Sequence, residues 1–158
     1  MYLSITTRPD IAFAVGYLAR FQISPEPLHY KLLGHLLKYV ANTLRNGLLY
    51  QFPNVRKHSL ELYTDADFAT DASRASTTGS LLFYQGSVIH WTSHLQTSIA
   101  ESSAEAELRA ANDASHDALF ILRLEEELLS SKLQPIILYE GSNNGHQLYE
   151  RVGSNLLN

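Results

Sequence analysis

Three short apolar stretches, a long helical run and a fourth apolar stretch follow one another from residue 59, and this order restricts the fold more than any other feature. "SLELYT" alternates apolar and polar side chains, as a strand with one buried face does. "TGSLLFYQGSVIHWTS" supplies two further strands, Leu81–Tyr84 and Val88–Trp91, with Gln85-Gly86 as the hairpin turn between them. Residues 101–117 read as an Ala-rich helix, "DALFILRLEEELLSSK" as a second helix, and "PIILYE" as a buried strand of the parallel-sheet type. A helical crossover then returns Ile136–Glu140 parallel to and beside Leu60–Tyr63. The expectation is an α/β fold with a mixed sheet. The ends of those two strands meet at one edge, where α/β proteins usually place their sites. The tail "GSNNGHQLYERVGSNLLN" reads as loop plus a short helix.

The first 58 residues have a different texture. "TTRPDIAFAVGYLARF" reads as a helix, with Thr7 or Asp10 as its cap, Pro9 in the first turn, and Ile11, Val15, Leu18 and Phe21 at helical spacing. "SPEP" interrupts the chain, and a second helix runs from about Leu28 to Leu44 with Leu32, Leu36, Tyr39 and Val40 on one face. "RNGLLYQF" reads as a turn into a short strand and "PNVRKHS" as a linker. The expected division is a helical arm, residues 1–58, and a domain, residues 59–158.

Charge follows the same division. Residues 1–58 carry seven Lys/Arg against two acids, Asp10 and Glu26, whereas residues 59–158 carry five against fourteen. A segment at +5 can lie against phosphates, and one at −9 repels them unless cations intervene. No apolar run approaches a membrane span, and the N-terminus has no basic-then-apolar signal pattern, so an intracellular protein is expected, in cytoplasm or nucleus. With no cysteine, disulfides, thiolate metal sites and cysteine nucleophiles are excluded.

The acids concentrate in "LELYTDADFATD". Asp65 and Asp67 lie two apart, so on a strand both point to one face. Such a pair can hold a hard divalent cation, and it can equally cap a turn through its own side chains. The helix "TSIAESSAEAELRAAND" adds three glutamates, with Ala104, Leu108, Ala111 and Ser115 as its buried face. Ser98 with Glu101, and Ser102 with Glu105, fit the capping pattern of Ser followed three residues later by Glu. Glu107 has no such job and flanks the buried face, from where it can lean towards Asp65. His90 and His94 fall on a strand and its exit, which disfavours a zinc pair, and Trp91 is assigned to the core.

Taken together, "TTRPDIAFAVGYLARF", "GLLY", "YTDADFATD", "RASTTGSLLF", "IHWTSHLQ" and "SSAEAELRAA" resemble the ribonuclease H region of copia-type retrotransposon polyproteins. The first segment resembles the connection that follows the reverse transcriptase there. The match covers about residues 1–143 in consistent order. It implies a ribonuclease H-like fold, C-terminally truncated, and an activity in which two metal ions on four carboxylates cut RNA in an RNA/DNA hybrid.

Residue by residue, the resemblance makes Asp65 the first carboxylate and Glu107 the second, both catalytic and metal-binding, with Asp67 an adjacent metal-binding acid. The third should follow "PIILY", where the family reads roughly Cys-Asp-Asn. Here the chain reads Glu140-Gly141-Ser142, so Gly141 stands at the position of the lost ligand. Glu140 is one residue out of register, which turns its side chain to the opposite face. Ser142 and Asn143 offer only neutral oxygens, and the family's fourth acid has no counterpart. Arg74, Ser76, Thr77 and Thr78 match a strand-entry motif that can touch a phosphate, or form a plain turn. The implied cofactor is Mg²⁺ or Mn²⁺, weakly held. The implied partners are an RNA/DNA hybrid or other nucleic acid, further polyprotein segments or a host protein, and no membrane. The alternative is a non-catalytic module, decayed or domesticated, that binds nucleic acid or protein on the same scaffold.

Overall fold

The computed structural model describes residues 1–50, 60–70, 73–129, 135–141 and 150–152, the last three and Leu129 by backbone alone. Contacts divide the chain into two compact units, Met1–Leu49 and Tyr50–Asn158. The division expected after residue 58 falls at 51–59, outside the described residues.

In the first unit the single helix expected across residues 6–21 is broken. Helix α1 spans Tyr2–Thr6, a 3₁₀ turn spans Pro9–Ile11, and α2 runs Ala12–Ala19. Neither proposed cap acts as one, because Thr7 ends α1 and Asp10 is engaged elsewhere. Arg8 donates to the Asp10 carboxylate at 2.7 Å and reaches Thr43, through its backbone oxygen at 3.1 Å and its hydroxyl at 2.7 Å. Tyr39 donates to the same carboxylate at 2.8 Å. Arg8 is buried by these contacts, and its hydrogen bond holds the Asp10 carboxyl below the usual carboxylate range. A proline at the turn and a charged clamp behind it thus outweigh the helical spacing of the apolar residues.

Helix α3, Pro27–Asn42, begins with Pro at its first position and a reciprocal cap between Glu26 and His29. Phe21 stacks on His29 with ring centres 3.9 Å apart. Leu32, Leu36 and Val40 are half-buried as expected, but Tyr39 is exposed over its ring and held by its hydroxyl. No strand forms through Tyr50, and the rest of the strand expected at "RNGLLYQF" lies outside the described residues.

The second unit is a mixed sheet ordered β3-β2-β1-β4-β5, with one long helix packed on it. Strand β1 is Leu60–Asp67, β2 Thr77–Tyr84, β3 Ser87–Leu95, α4 Ser103–Leu129, β4 Ile136–Glu140 and β5 Glu150–Val152. The first three strands are an antiparallel meander, and β4 runs parallel to β1, with Glu61 opposite Ile137 and Thr64 opposite Glu140. The hairpin turn is at Gln85-Gly86, whose φ values of 51° and 79° are both positive, as a type I′ turn requires. Strand β5 pairs antiparallel with β4, where loop and helix were expected. Among the described residues no helix is long and apolar enough to cross a membrane.

Two helical expectations need correction. Residues 103–129 form one helix, since nothing between Asp117 and Ala118 breaks it and the Asp117 carboxylate faces His90 instead of capping. The buried face is Ala106, Ala110, Ala111, Ala114, Ala118 and Leu122; of the expected face Ala111 is buried and Ser115 half-buried, whereas Ala104 is exposed and Leu108 is 70% exposed. A 3.6-residue period fits several stripes, and leucine marked the wrong one. Alanines let the helix lie close to the sheet, where Ala111, Ala114, Ala118 and Leu122 pack on Leu60, Leu62, Leu82, Ile136 and Leu138.

Candidate functional site

Strand β1 continues through the acids, so Asp65 and Asp67 belong to the strand and not to a loop after it. Asp65 sits between two glycines, Gly79 across the antiparallel pair and Gly141 just past β4. The Gly141 N–H donates to the Thr64 oxygen at 3.1 Å, which carries the parallel ladder one residue beyond Glu140. A Cβ on Gly141 would lie 3.3 Å from Asp65 Oδ1 and 3.5 Å from its carboxyl carbon. The side chain that a larger residue would place here therefore meets Asp65 directly. Gly141 has no positive φ, so its backbone does not demand glycine.

Helix α4 brings Glu107 to the same place. Its carboxyl lies near the Ala66 backbone N–H, which lowers its pKa, and near the Asp65 carboxyl, which raises it. Burial, then the charges of Asp65 and Glu140, push the Glu107 carboxyl up to about 7. Its Oε2 atom is buried with no hydrogen-bond partner. An orphaned carboxylate oxygen beside a second carboxylate is what a cation position looks like without its charge, and Mg²⁺ binds through one or two carboxylates with waters and substrate phosphates completing its shell. Asp65 and Glu107 fit one such ion. Among the described residues no three His, Cys, Asp or Glu gather closely enough to hold a metal, so Asp67, exposed at the end of β1, does not complete a triad with them.

Glu101 and Glu105 stand at the helix start. The Ser102 hydroxyl accepts from the Glu105 N–H at 3.2 Å, and the Glu105 carboxylate accepts from the Glu101 N–H at 2.7 Å, which lowers its pKa. Ser98 does not cap Glu101; its backbone oxygen accepts from Arg109 at 2.9 Å. The strand-entry residues divide as well. Ser76 and Thr78 are fully buried, the Ser76 hydroxyl accepting from the Ala69 N–H and the Thr78 hydroxyl from Gln96. Their hydroxyls hold the turn and are not open to a phosphate, and Thr77 is buried too. Arg74, with a left-handed φ of 62°, is exposed. Asp71, Ser142 and Asn143 lie outside the described residues.

The sequence reading passed over two polar links. His90 lies 3.2 Å from Asp117 and His94 3.6 Å from Asp113, two matched pairs four residues apart on β3 and on α4. Gln96 is buried and donates to both Thr78 and the Ala106 backbone oxygen. The four-residue repeat of His and of Asp was the available signal for the first. Nothing local marks the second.

The chain is 39% identical over 122 residues to the secreted RxLR effector protein 161 of Plasmopara viticola, covering 77% of this chain and 84% of that protein. It is 37% identical over 129 residues to the retrovirus-related Pol polyprotein from transposon TNT 1-94 of Nicotiana tabacum. It is 34% identical over 139 residues to that from transposon RE1 of Arabidopsis thaliana. These matches take in 81% and 87% of this chain but 10% and 9% of the polyproteins, so the chain spans about a tenth of their length. No family model matches, and no solved structure does. With a relative matched over most of both chains and two polyproteins each matched over most of this chain, the chain belongs to the family of sequences derived from the Pol polyproteins of retrovirus-related transposons.

Proposed function

We propose that residues 59–158 are a ribonuclease H-like domain that holds one divalent cation between Asp65 and Glu107, lacks a carboxylate at Gly141, and cuts RNA/DNA hybrids very slowly or not at all. The observation that carries this reading is the buried, unpartnered Glu107 Oε2 beside Asp65, with Gly141 in the next position of the adjoining strand. The meander, the crossover helix and the parallel fourth strand support the fold part of the reading, and descent from a Pol polyprotein supports its ancestry. A bound Mg²⁺ or Mn²⁺ would stabilise negative charge on a phosphodiester oxygen.

The residues of this chain do the rest. Asp65 and Glu107 would hold the cation at the strand end; Glu107 binds it only when deprotonated, so affinity for the ion should rise with pH through neutrality. Glu140 adds a like charge near Glu107. Gly141 leaves the third corner of the site without a carboxylate. The acidic domain repels phosphates, so contact with a hybrid falls mainly to the basic segment of residues 1–58 and weakens steeply with salt. Other polyprotein segments and host proteins remain partners of the same proposal, as does an intracellular place of action.

An assay of hybrid, duplex DNA and single-stranded RNA in Mg²⁺ and in Mn²⁺ tests this, with the wild type and Asp65→Asn. The expected result is saturable Mn²⁺ binding lost in Asp65→Asn, with little or no cleavage of any substrate. Robust hybrid-specific cutting abolished by Asp65→Asn would show a complete site, and absence of Mn²⁺ binding would remove the cation from the reading.

A further inference from the structure

The geometry points to Gln96 as the positioning residue that holds Glu107 over the end of β1; this rests on the cation reading above. Gln96 is 5% exposed, one residue past β3, and its backbone N–H extends the strand ladder to the Ser76 oxygen at 2.8 Å. Its side-chain nitrogen donates at 3.1 Å to Thr78 Oγ1 on β2 and at 2.9 Å to the Ala106 oxygen in the first turn of α4. Thr78 is the cross-strand partner of Ala66, whose backbone lies near the carboxyl of Glu107, the residue after Ala106. The two donations of Gln96 thus tie the first turn of α4, and with it Glu107, to the strand opposite Ala66.

Glutamine suits the position because one amide nitrogen carries two protons, and both acceptors are used. The Ala106 oxygen can still serve the helix through its other lone pair. The Gln96 Oε1 atom is buried without a partner, so the side chain keeps an unsatisfied oxygen for the sake of the two donations. Groups that orient a metal ligand without touching the metal commonly cost 10–100-fold in affinity when removed. Among the described residues, the polar links of α4 to the sheet at His94, His90 and Tyr84 lie further along the helix than its first turn.

The test measures Mn²⁺ affinity of the full chain by calorimetry, and amide exchange at Ala66, in the wild type and four variants. Gln96→Met keeps the volume and removes both donors, so affinity should fall about tenfold and the Ala66 amide should exchange faster than in wild type. Leu122→Ala, which empties part of the core under the same helix, should leave Mn²⁺ affinity unchanged wherever the protein is folded, although it lowers thermal stability. Wild-type affinity in Gln96→Met, or an equal loss in Leu122→Ala, overturns the inference. Thr78→Val removes the strand-side acceptor alone. It serves if Gln96→Met does not fold, and an affinity equal to wild type would again overturn it. If Glu107→Gln binds Mn²⁺ as the wild type does, the carboxylate-pair reading falls first and this inference with it.

Discussion

A carboxyl held near pH 7 by burial and two like charges should leave a trace in stability before any activity is measured. Between about 4.5 and about 7 the folded protein binds a proton at Glu107 that the unfolded chain has released. Stability from this group is therefore complete at acid pH and lost as pH rises through neutrality, the reverse of a salt-bridged acid. In EDTA, denaturation midpoints at pH 5 and pH 8 should differ more for the wild type than for Glu107→Gln, and Mn²⁺ should restore the loss at pH 8. Equal pH dependence in both proteins would contradict the burial of this carboxyl. Gly141→Asp belongs to the same scale. The new Cβ sits 3.3 Å from Asp65 Oδ1, so the added carboxylate should destabilise the metal-free protein and tighten Mn²⁺ binding. Titration calorimetry should show the tighter binding, and an unchanged affinity would argue that Gly141 is not at a ligand position.

Helix α4 shows how an element's residues divide between packing and reach. Its alanine stripe buries little area per residue, yet it sets the helix close enough for Glu107 to touch the sheet edge. Ala110 has no exposed surface, so Ala110→Leu should lift the helix and cost about 1–3 kcal/mol. Leu108→Ser, on the exposed side, should change stability by about 0.5 kcal/mol or less. Urea denaturation of the two variants distinguishes this stripe from the one containing Leu108. If Leu108→Ser proved the costlier change, the assigned face would be wrong. The outer flank of the helix is tied by polar pairs, His94 with Asp113, His90 with Asp117, and Tyr84 with Glu125. The two half-exposed His–Asp pairs add about 0–1 kcal/mol each, so they guide the helix more than they hold it.

For the whole molecule, charge is the property that spans both units. One of the seven cations of residues 1–58, Arg8, is buried against Asp10, whereas Lys31, Lys38 and Arg45 are exposed. Lys31→Ala combined with Lys38→Ala should weaken hybrid binding and reduce the slope of log affinity against log salt by about 2. Fluorescence anisotropy of a labelled hybrid at several salt concentrations measures this. A slope that does not change would place the contact elsewhere. The division at Leu49 leaves each unit its own packing, so the substitutions should not alter Mn²⁺ binding at Asp65 and Glu107.

The sequence by itself determined the order of β1 to β4, the hairpin at Gln85-Gly86 and the place of β4 beside β1, but not β5, because alternation, turn chemistry and crossover rules are local or topological. The adjacency of Asp65 and Gly141 follows from the same rules. Only the tertiary structure decided which stripe of α4 is buried, since periodicity does not tell a leucine at the surface from an alanine in the core until the sheet is present. It also decided that Pro9-Asp10 breaks a helix, through an arginine clamp whose partner Thr43 lies 35 residues away. The charge state of Glu107 and the link from Gln96 to Ala106 are of that kind too. Burial and buried hydrogen bonds depend on what surrounds a side chain in three dimensions, and a spacing along the chain carries no record of that.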